Sequence, residues 1–410
     1  MTRLPRFSTV LLVSMVGAAG FEGTSRPQQA AEPRHRRVAI TIDDLPANMF
    51  RGDLADWQEM TWTLLAGLTR HQVPAIGFVN EEKLYVDGSS DPDAAYVALL
   101  QAWLDAGLEL GNHSYSHPDL HRTPLAEYQQ NIILGDVVTR ELLAASGARP
   151  RYFRHPFLHT GTDLATRDAL HEFLAEHGYR VAPVTIDNQE YIAARAYDHA
   201  LLRGQDTLAQ RIAAAYLDYM NEMFAYYEQQ SETLLGYEIA QSLLIHANRL
   251  NAAVIDELLE MIRARGYEFV TLDEALEDPA YESRDEFSGT AGITWLHRWA
   301  ITAGKPREFF GTEPDLPQFI HEVYADPPSE TRAVPMQEDA WEFVGDAHGF
   351  ANFGGREALH IERGRAWVKG ADLRDGTIEF DLWIEEERCI YDSTSTATAQ
   401  LFTSTARSRC

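Results

Sequence analysis

Two histidines four residues apart, His113 and His117 in Gly-Asn-His113-Ser-Tyr-Ser-His117-Pro, follow a pair of adjacent acids, Asp43 and Asp44, in Thr-Ile-Asp-Asp-Leu-Pro. Imidazoles at i and i+4 share one face of a helix and can grip a single metal ion. A third ligand must then come from elsewhere, and a carboxylate at a strand end suits that role. Two histidines and one carboxylate leave a coordination position open, as in hydrolytic zinc sites. Leu108 to Leu110 reads as a short strand whose end opens the histidine motif, and the acid pair ends the apolar run Val38 to Ile42.

The elements around these residues alternate. Strands are expected at Val38–Ile42, Val73–Val79, Leu108–Leu110, Arg151–Phe153, Val181–Ile186, Leu243–Ile245 and Phe269–Leu272. Helical spacing covers Leu54–Thr69, Ala94–Ala106, Leu125–Ser146, Asp163–His177, Asp206–Gln229 and Ala252–Arg265. Gly107, Gly147, Gly178 and Gly266 each stop a helix shortly before the next strand. The βα alternation predicts an α/β fold with a parallel sheet or barrel. Asp43, Asp44, His113, Arg154, Asp187 and His246 all fall at or just past a strand's C-terminal end, the face on which barrels build their sites.

The chain has 410 residues and a formal charge of −27, which excludes nucleic acid as a natural partner because a polyanion would be repelled. Arg3 and Arg6 precede an uncharged, mostly apolar stretch from Phe7 to Ala19, too short to span a bilayer comfortably. Residues 1–20 therefore read as a signal peptide and 21–36 as a polar tether, so the mature chain is expected to be exported to the periplasm or beyond, with no integral membrane span. The two cysteines, Cys389 and Cys410, lie in the last 22 residues, so the body has no disulfide framework.

Residues 279–332 read as a helical extension and a Pro-rich linker around Pro314, Pro317, Pro327 and Pro328. Trp295 and Trp299, four apart, are expected to pack on the barrel rather than stack on sugars. From 333 to 388 the pattern turns to β, with strands expected at Trp341–Val344, Ala358–Ile361, Ala366–Val368 and Thr377–Ile384. Residues 389–410 lose that pattern and read as a disordered, frame-shifted or truncated end.

Five motifs in order resemble those of the polysaccharide deacetylase family, the NodB-homology domain or carbohydrate esterase family 4. They are Thr41-Ile42-Asp43-Asp44-Leu45-Pro46, His113-Ser114-Tyr115-Ser116-His117, Arg154-His155-Pro156-Phe157, Asp187-Asn188-Gln189-Glu190-Tyr191 and Ser242-Leu243-Leu244-Ile245-His246. The resemblance covers residues 37–275 and departs at Leu45, Glu190, Tyr191 and Ser242, where the family has Gly, Asp, Trp and Leu. It implies a distorted (β/α) barrel over 37–278. The segment 333–388, through Asp375 to Asp381 and Ala366 to Val368, resembles part of a concanavalin-A-like or laminin-G-like sandwich, an incomplete β segment at this length.

The resemblance also implies roles. Asp44, His113 and His117 would hold a divalent metal, with zinc leading and nickel, cobalt or iron suited to a mixed N/O set. Adjacent acids coexist when a cation neutralises one, which frees Asp43 as general base. His246 would be the general acid, oriented by Glu190 or, failing it, Asp187. Arg154 would balance Asp43, with Arg151 competing. The backbone N–H of Phe157 would meet the oxyanion, and Tyr191 and Leu244 would line the acetyl pocket. The implied activity is metal-dependent removal of N-acetyl groups from a polysaccharide of the chitin, peptidoglycan or exopolysaccharide type. The alternatives are an O-acetyl esterase on a polysaccharide such as xylan, and a non-catalytic carbohydrate-binding envelope protein.

Overall fold

The computed structural model describes residues 36–86, 89–144, 147–311, 313–328, 335–353 and 356–369. The expected signal peptide, tether, Thr377–Ile384 strand and C-terminal tail lie outside these residues.

Seven parallel strands form a curled sheet wrapped by helices. They are β1 (Arg36–Leu45), β2 (Ile76–Val79), β3 (Glu109–Asn112), β4 (Tyr152–Phe153), β5 (Arg180–Val181), β6 (Gln241–His246) and β7 (Tyr267–Phe269), in spatial order β5-β4-β3-β2-β1-β6, with β7 beside the start of β1. The curl closes through the segment that continues β5. Ala182 N–H donates to Phe153 of β4 at 2.8 Å, while Ile186 bridges Leu243 of β6 and accepts from Leu244 N–H at 3.1 Å. One stretch of chain thus pairs with β4 at its start and β6 at its end, which makes the sheet an irregular barrel. Five of the seven expected strands are present with shifted ends; the other two meet an observed strand at one residue only, since β5 ends at Val181 and β7 at Phe269, with Leu272 already starting a helix.

Helices cover the outside: α1 (Leu54–Arg70), α2 (Ala94–Asp105), α3 (Leu125–Leu134), α4 (Val137–Ala144), α5 (Leu164–Glu176), α6 (Glu190–Leu202), α7 (Asp206–Leu235), α8 (Arg249–Ala264) and the short α9 (Leu272–Ala275). Caps set several boundaries. Asp53 accepts from Asp56 N–H and Asp56 returns the bond, a reciprocal box that starts α1. Asn248 accepts from Asn251 N–H at the start of α8, and Gly236, at φ 83°, ends α7.

Four expectations need correction. The continuous helix over 125–146 breaks at Gly135–Asp136 into α3 and α4. The break is specified by packing: a Cβ at Gly135 would lie 2.4 Å from Ser114 C and 2.5 Å from Tyr115 N. A helix absent from the expected set, α6, begins at Glu190, three residues after Asp187. The Pro-rich stretch is not a free linker. It contains α11 (Gln318–Ala325), which follows α10 (Trp295–Thr302); Ile320 of α11 is buried, and His199 of α6 bonds Val323 O at 3.0 Å. Finally, among the described residues of the β region the strands are fewer and longer than expected. β8 (Trp341–Phe353) pairs antiparallel with β9 (Arg356–Val368), so the expected strands at 358–361 and 366–368 are one. This pair is the only sheet structure among the described residues there, and no sandwich is formed by them. Trp295 and Trp299 are buried against the core, as expected.

Candidate active site

The barrel sets the acids by a defect in β1. The register runs Ile42 to Gly77 and Leu45 to Val79, so β1 spends one extra residue against β2. Asp44 takes a left-handed conformation there, with φ 70°. In a regular strand, neighbours point to opposite faces; the bulge breaks that alternation and lets both carboxylates serve one end of the barrel. Asp43 remains in register with His246 of β6, and Thr41 with Leu244.

The histidines meet without a helix, contrary to the expectation from their spacing. Residues 113–118 form a turn beyond β3, with Ser114 at φ 69° and His117 at φ 54°. Three side chains hold it. Asn112 Oδ1 accepts from Ser114 N–H at 2.6 Å, Asn131 Oδ1 accepts from Tyr115 and Ser116 N–H at 2.9 and 3.0 Å, and Ser114 Oγ accepts from His117 N–H at 3.1 Å. Gly135 backs the same turn, so Gly135→Ala is expected to push Ser114 and Tyr115 aside. The overpacking should cost about 1–3 kcal/mol. It should also weaken metal uptake, read by thermal unfolding and metal analysis. Unchanged values of both would mean that the turn tolerates a methyl group.

Asp44, His113 and His117 offer three ligand atoms within 4.8 Å of one another. Asp44 Oδ1 lies 3.7 Å from His113 Nε2 and 3.8 Å from His117 Nε2. Ligands about 2.1 Å from a tetrahedral ion sit about 3.4 Å apart, so small inward shifts suffice. The donor chemistry fits as well. His113 Nδ1–H donates to Arg154 O at 2.8 Å, which leaves Nε2 as the lone-pair nitrogen. Asn48 Nδ2 donates to Asp44 Oδ2 at 2.6 Å, leaving Oδ1 for an ion. Burial and the neighbouring His117 hold His113 well below the usual histidine range, in its neutral ligating form. Asp44 resists burial because Lys83, His117 and His113 hold its carboxyl far below the usual range.

Lys83 was not anticipated. Its Nζ donates to Asp44 O at 2.9 Å and stands 3.6 Å from Asp44 Oδ1. It comes from the turn Glu81–Leu84 after β2, and nothing in its local sequence marks it.

The second half of the site centres on Asp43 and His246. Arg154 is fully buried, its Nε 3.8 Å from Asp43 Oδ1, with Nη2 donating to Thr41 Oγ1 at 2.7 Å and the guanidinium over the Phe78 ring. The competing Arg151 points elsewhere and pairs with Asp273 and Glu109 on the surface. Burial pushes Asp43 up to about 6, although Arg154 and His246 pull it down. His246 Nδ1–H donates to Glu190 Oε2 at 2.7 Å, and His246 N–H reaches the same oxygen at 3.0 Å. Asn248 Nδ2 donates to Glu190 Oε1. Burial disfavours the imidazolium, but Glu190, Asp44 and Asp43 outweigh it and lift His246 to about 9. Glu190 rather than Asp187 is therefore the carboxylate on His246. Asp187 accepts from Asn188 N–H at 2.8 Å, and burial raises it to about 6.

Phe157 has φ 57°, is half exposed, and packs its ring on His117 in a T-shaped contact, with ring centroids 4.5 Å apart. Leu244 is buried on the same strand face as His246, two residues before it, and Tyr191 is half exposed on the first turn of α6. Sequence reasoning also missed Asn48 and Asn248. Each sits close in sequence to a named residue, four after Asp44 and two after His246, and that proximity was the available signal.

Residues 30–182 match the family model described as Polysaccharide deacetylase. That match supports a polysaccharide deacetylase domain in this chain. A chitin deacetylase of Colletotrichum lindemuthianum is 22% identical over 242 residues, 59% of this chain and 79% of that protein. A chitooligosaccharide deacetylase of Bradyrhizobium sp. (strain ANU 289) is 31% identical over 122 residues, and the match spans 30% of this chain and 46% of that protein, under half its length. The peptidoglycan-N-acetylglucosamine deacetylase PgdA of Listeria monocytogenes is 21% identical over 265 residues, 64% of this chain and 44% of that protein.

Proposed function

We propose that this chain is an exported hydrolase, dependent on a divalent metal such as zinc, that removes N-acetyl groups from an amino-sugar polysaccharide of the chitin or peptidoglycan kind. The observation that carries the reading is the register of Asp43 with His246 on adjacent strands, beside the Asp44, His113 and His117 donors. A base and an acid of opposite demand then flank one metal position. The deacetylase domain, and relatives whose names specify chitin, chitooligosaccharide and peptidoglycan, support the substrate class. The leader-like residues 1–20 support export.

Asp44, His113 and His117 would hold the metal, which when bound acidifies water and polarises the acetyl carbonyl. Asp43 takes the proton of the attacking water. Arg154 holds the Asp43 carboxylate in place from behind. The Phe157 N–H receives the carbonyl oxygen as it gains charge. His246, with Nδ1–H fixed on Glu190, delivers its Nε2 proton to the departing nitrogen, whose anion is too basic to leave alone. Leu244 and Tyr191 enclose the acetyl methyl.

The pH dependence follows from these states. Asp43 must be ionised, so kcat/KM should rise with pH through about 6, and a cation on Asp44 moves that limb to lower pH. His246 must be protonated, so activity should fall on the alkaline side, below about 9, because a cation on Asp44 offsets part of the charge that lifts it. Acetate release from chitooligosaccharides, peptidoglycan and acetylated xylan, each with and without chelator, tests the assignment. Chelator-sensitive release from the N-acetylated polymers is expected. Release from acetylated xylan alone would overturn the N-acetyl assignment, and release indifferent to chelator would overturn the metal.

A further inference from the structure

A second set of one carboxylate and two imidazoles stands beside the site just described. Asp119, His121 and His159 offer ligand atoms within 4.8 Å of one another. They come from two loops that also wall the active site: Asp119 lies two residues after His117, and His159 two after Phe157. Asp119 Oδ1 accepts from His121 N–H at 2.9 Å and from His159 Nδ1–H at 2.7 Å. The His121 and His159 rings stack at 3.8 Å, 11° from parallel. The Asp119 and His159 side chains are 23% and 17% exposed, so the cluster is partly dehydrated yet reachable by an ion.

Two imidazoles at that separation repel if both are charged. Burial and His159 accordingly hold His121 below the usual histidine range, where it is neutral. The arrangement therefore offers two imidazoles and one carboxylate, a donor set suited to zinc, cobalt or nickel. Stacked rings hold their lone pairs in separate, nearly parallel planes, so one ring must turn for both to meet an ion. For His121 the turn gives up a long contact, Gly161 N–H to Nε2 at 3.3 Å. The ion itself replaces the proton that His159 now shares with Asp119.

We propose that Asp119, His121 and His159 form a second divalent-cation site, a clasp that fastens the loop after His117 to the loop after Phe157. The clasp would act on the catalytic mouth by position alone, since the Phe157 ring rests on His117. The site is independent of the deacetylase reading, because its residues take no part in that chemistry.

Co2+ uptake by the metal-stripped full chain tests it, by equilibrium dialysis with metal analysis, alongside thermal unfolding in the presence and absence of Co2+. Wild type should bind two equivalents. D119N/H159Q should lose one and keep the other. D44N/H113Q should keep one, and Co2+ should still raise its unfolding temperature. Circular dichroism checks that each variant folds; if D119N/H159Q does not, His121→Gln takes its place. Uptake unchanged in D119N/H159Q or His121→Gln, or no uptake by D44N/H113Q, would overturn the clasp. One equivalent in wild type that survives D44N/H113Q and vanishes in D119N/H159Q would support the clasp and overturn the Asp44 metal position instead.

Discussion

Asp43→Asn is expected to lower acetate release by about 10²–10⁴-fold, the usual contribution of a positioned general base. Metal uptake should persist, because the three-ligand set is Asp44, His113 and His117, with Asp43 outside it. The amide keeps the volume and can still face Arg154, but it cannot take a proton. What remains of the activity should lose its acidic limb, since that limb is the titration of Asp43. Steady-state rates across pH, with metal content measured on the same samples, check all three statements. An Asp43→Asn enzyme within about tenfold of wild type would remove Asp43 from the base role.

His246→Ala should divide substrates by their leaving group. An amide nitrogen must be protonated before it departs, so N-acetylglucosamine substrates should lose about 10²–10⁴-fold. An activated aryl acetate leaves as a stable phenolate and should lose far less. Glu190→Gln gives the finer readout. Glu190 is the chief partner lifting His246 to about 9, so its neutral amide should bring the alkaline limb of kcat/KM down toward the ordinary histidine range. Equal losses on both substrates, with the alkaline limb unmoved in Glu190→Gln, would show that His246 does not protonate the leaving group.

The parallel α/β architecture was legible because it rests on local periodicity and on glycine stops such as Gly178 and Gly266. Helices fixed by tertiary contact were not. Gly135 breaks a good helical pattern only because Ser114 lies against it, and α11 forms in a Pro-rich stretch because α6 receives Ile320 and Val323. In the site, residue types and strand ends singled out Asp43, Asp44, His113, His117 and His246, which the barrel brings together. The way His113 and His117 converge differs from what their spacing implies. Four-residue spacing suggests a helix face, whereas side-chain bonds from Asn112, Ser114 and Asn131 build a turn. Lys83 was invisible because its importance lies in a contact across 39 residues of chain, with a backbone oxygen that no pattern advertises.

Because Asp43 and Asp44 are consecutive, the spacing of their backbones is a covalent constant rather than a product of packing, and the bulge in β1 decides only where their carboxylates point. Their Cα atoms stay about 3.8 Å apart in any state of the chain. Heat or denaturant that parts β3 from β1 carries His113 and His117 away from Asp44, and loosening β6 removes His246 from Asp43. The acid pair alone survives as neighbours in the unfolded chain, where water screens their repulsion. Folding then concentrates that repulsion in a dry setting, and the cations the fold gathers around it, Arg154 beside one acid and Lys83 beside the other, are what make the paired acids tolerable there.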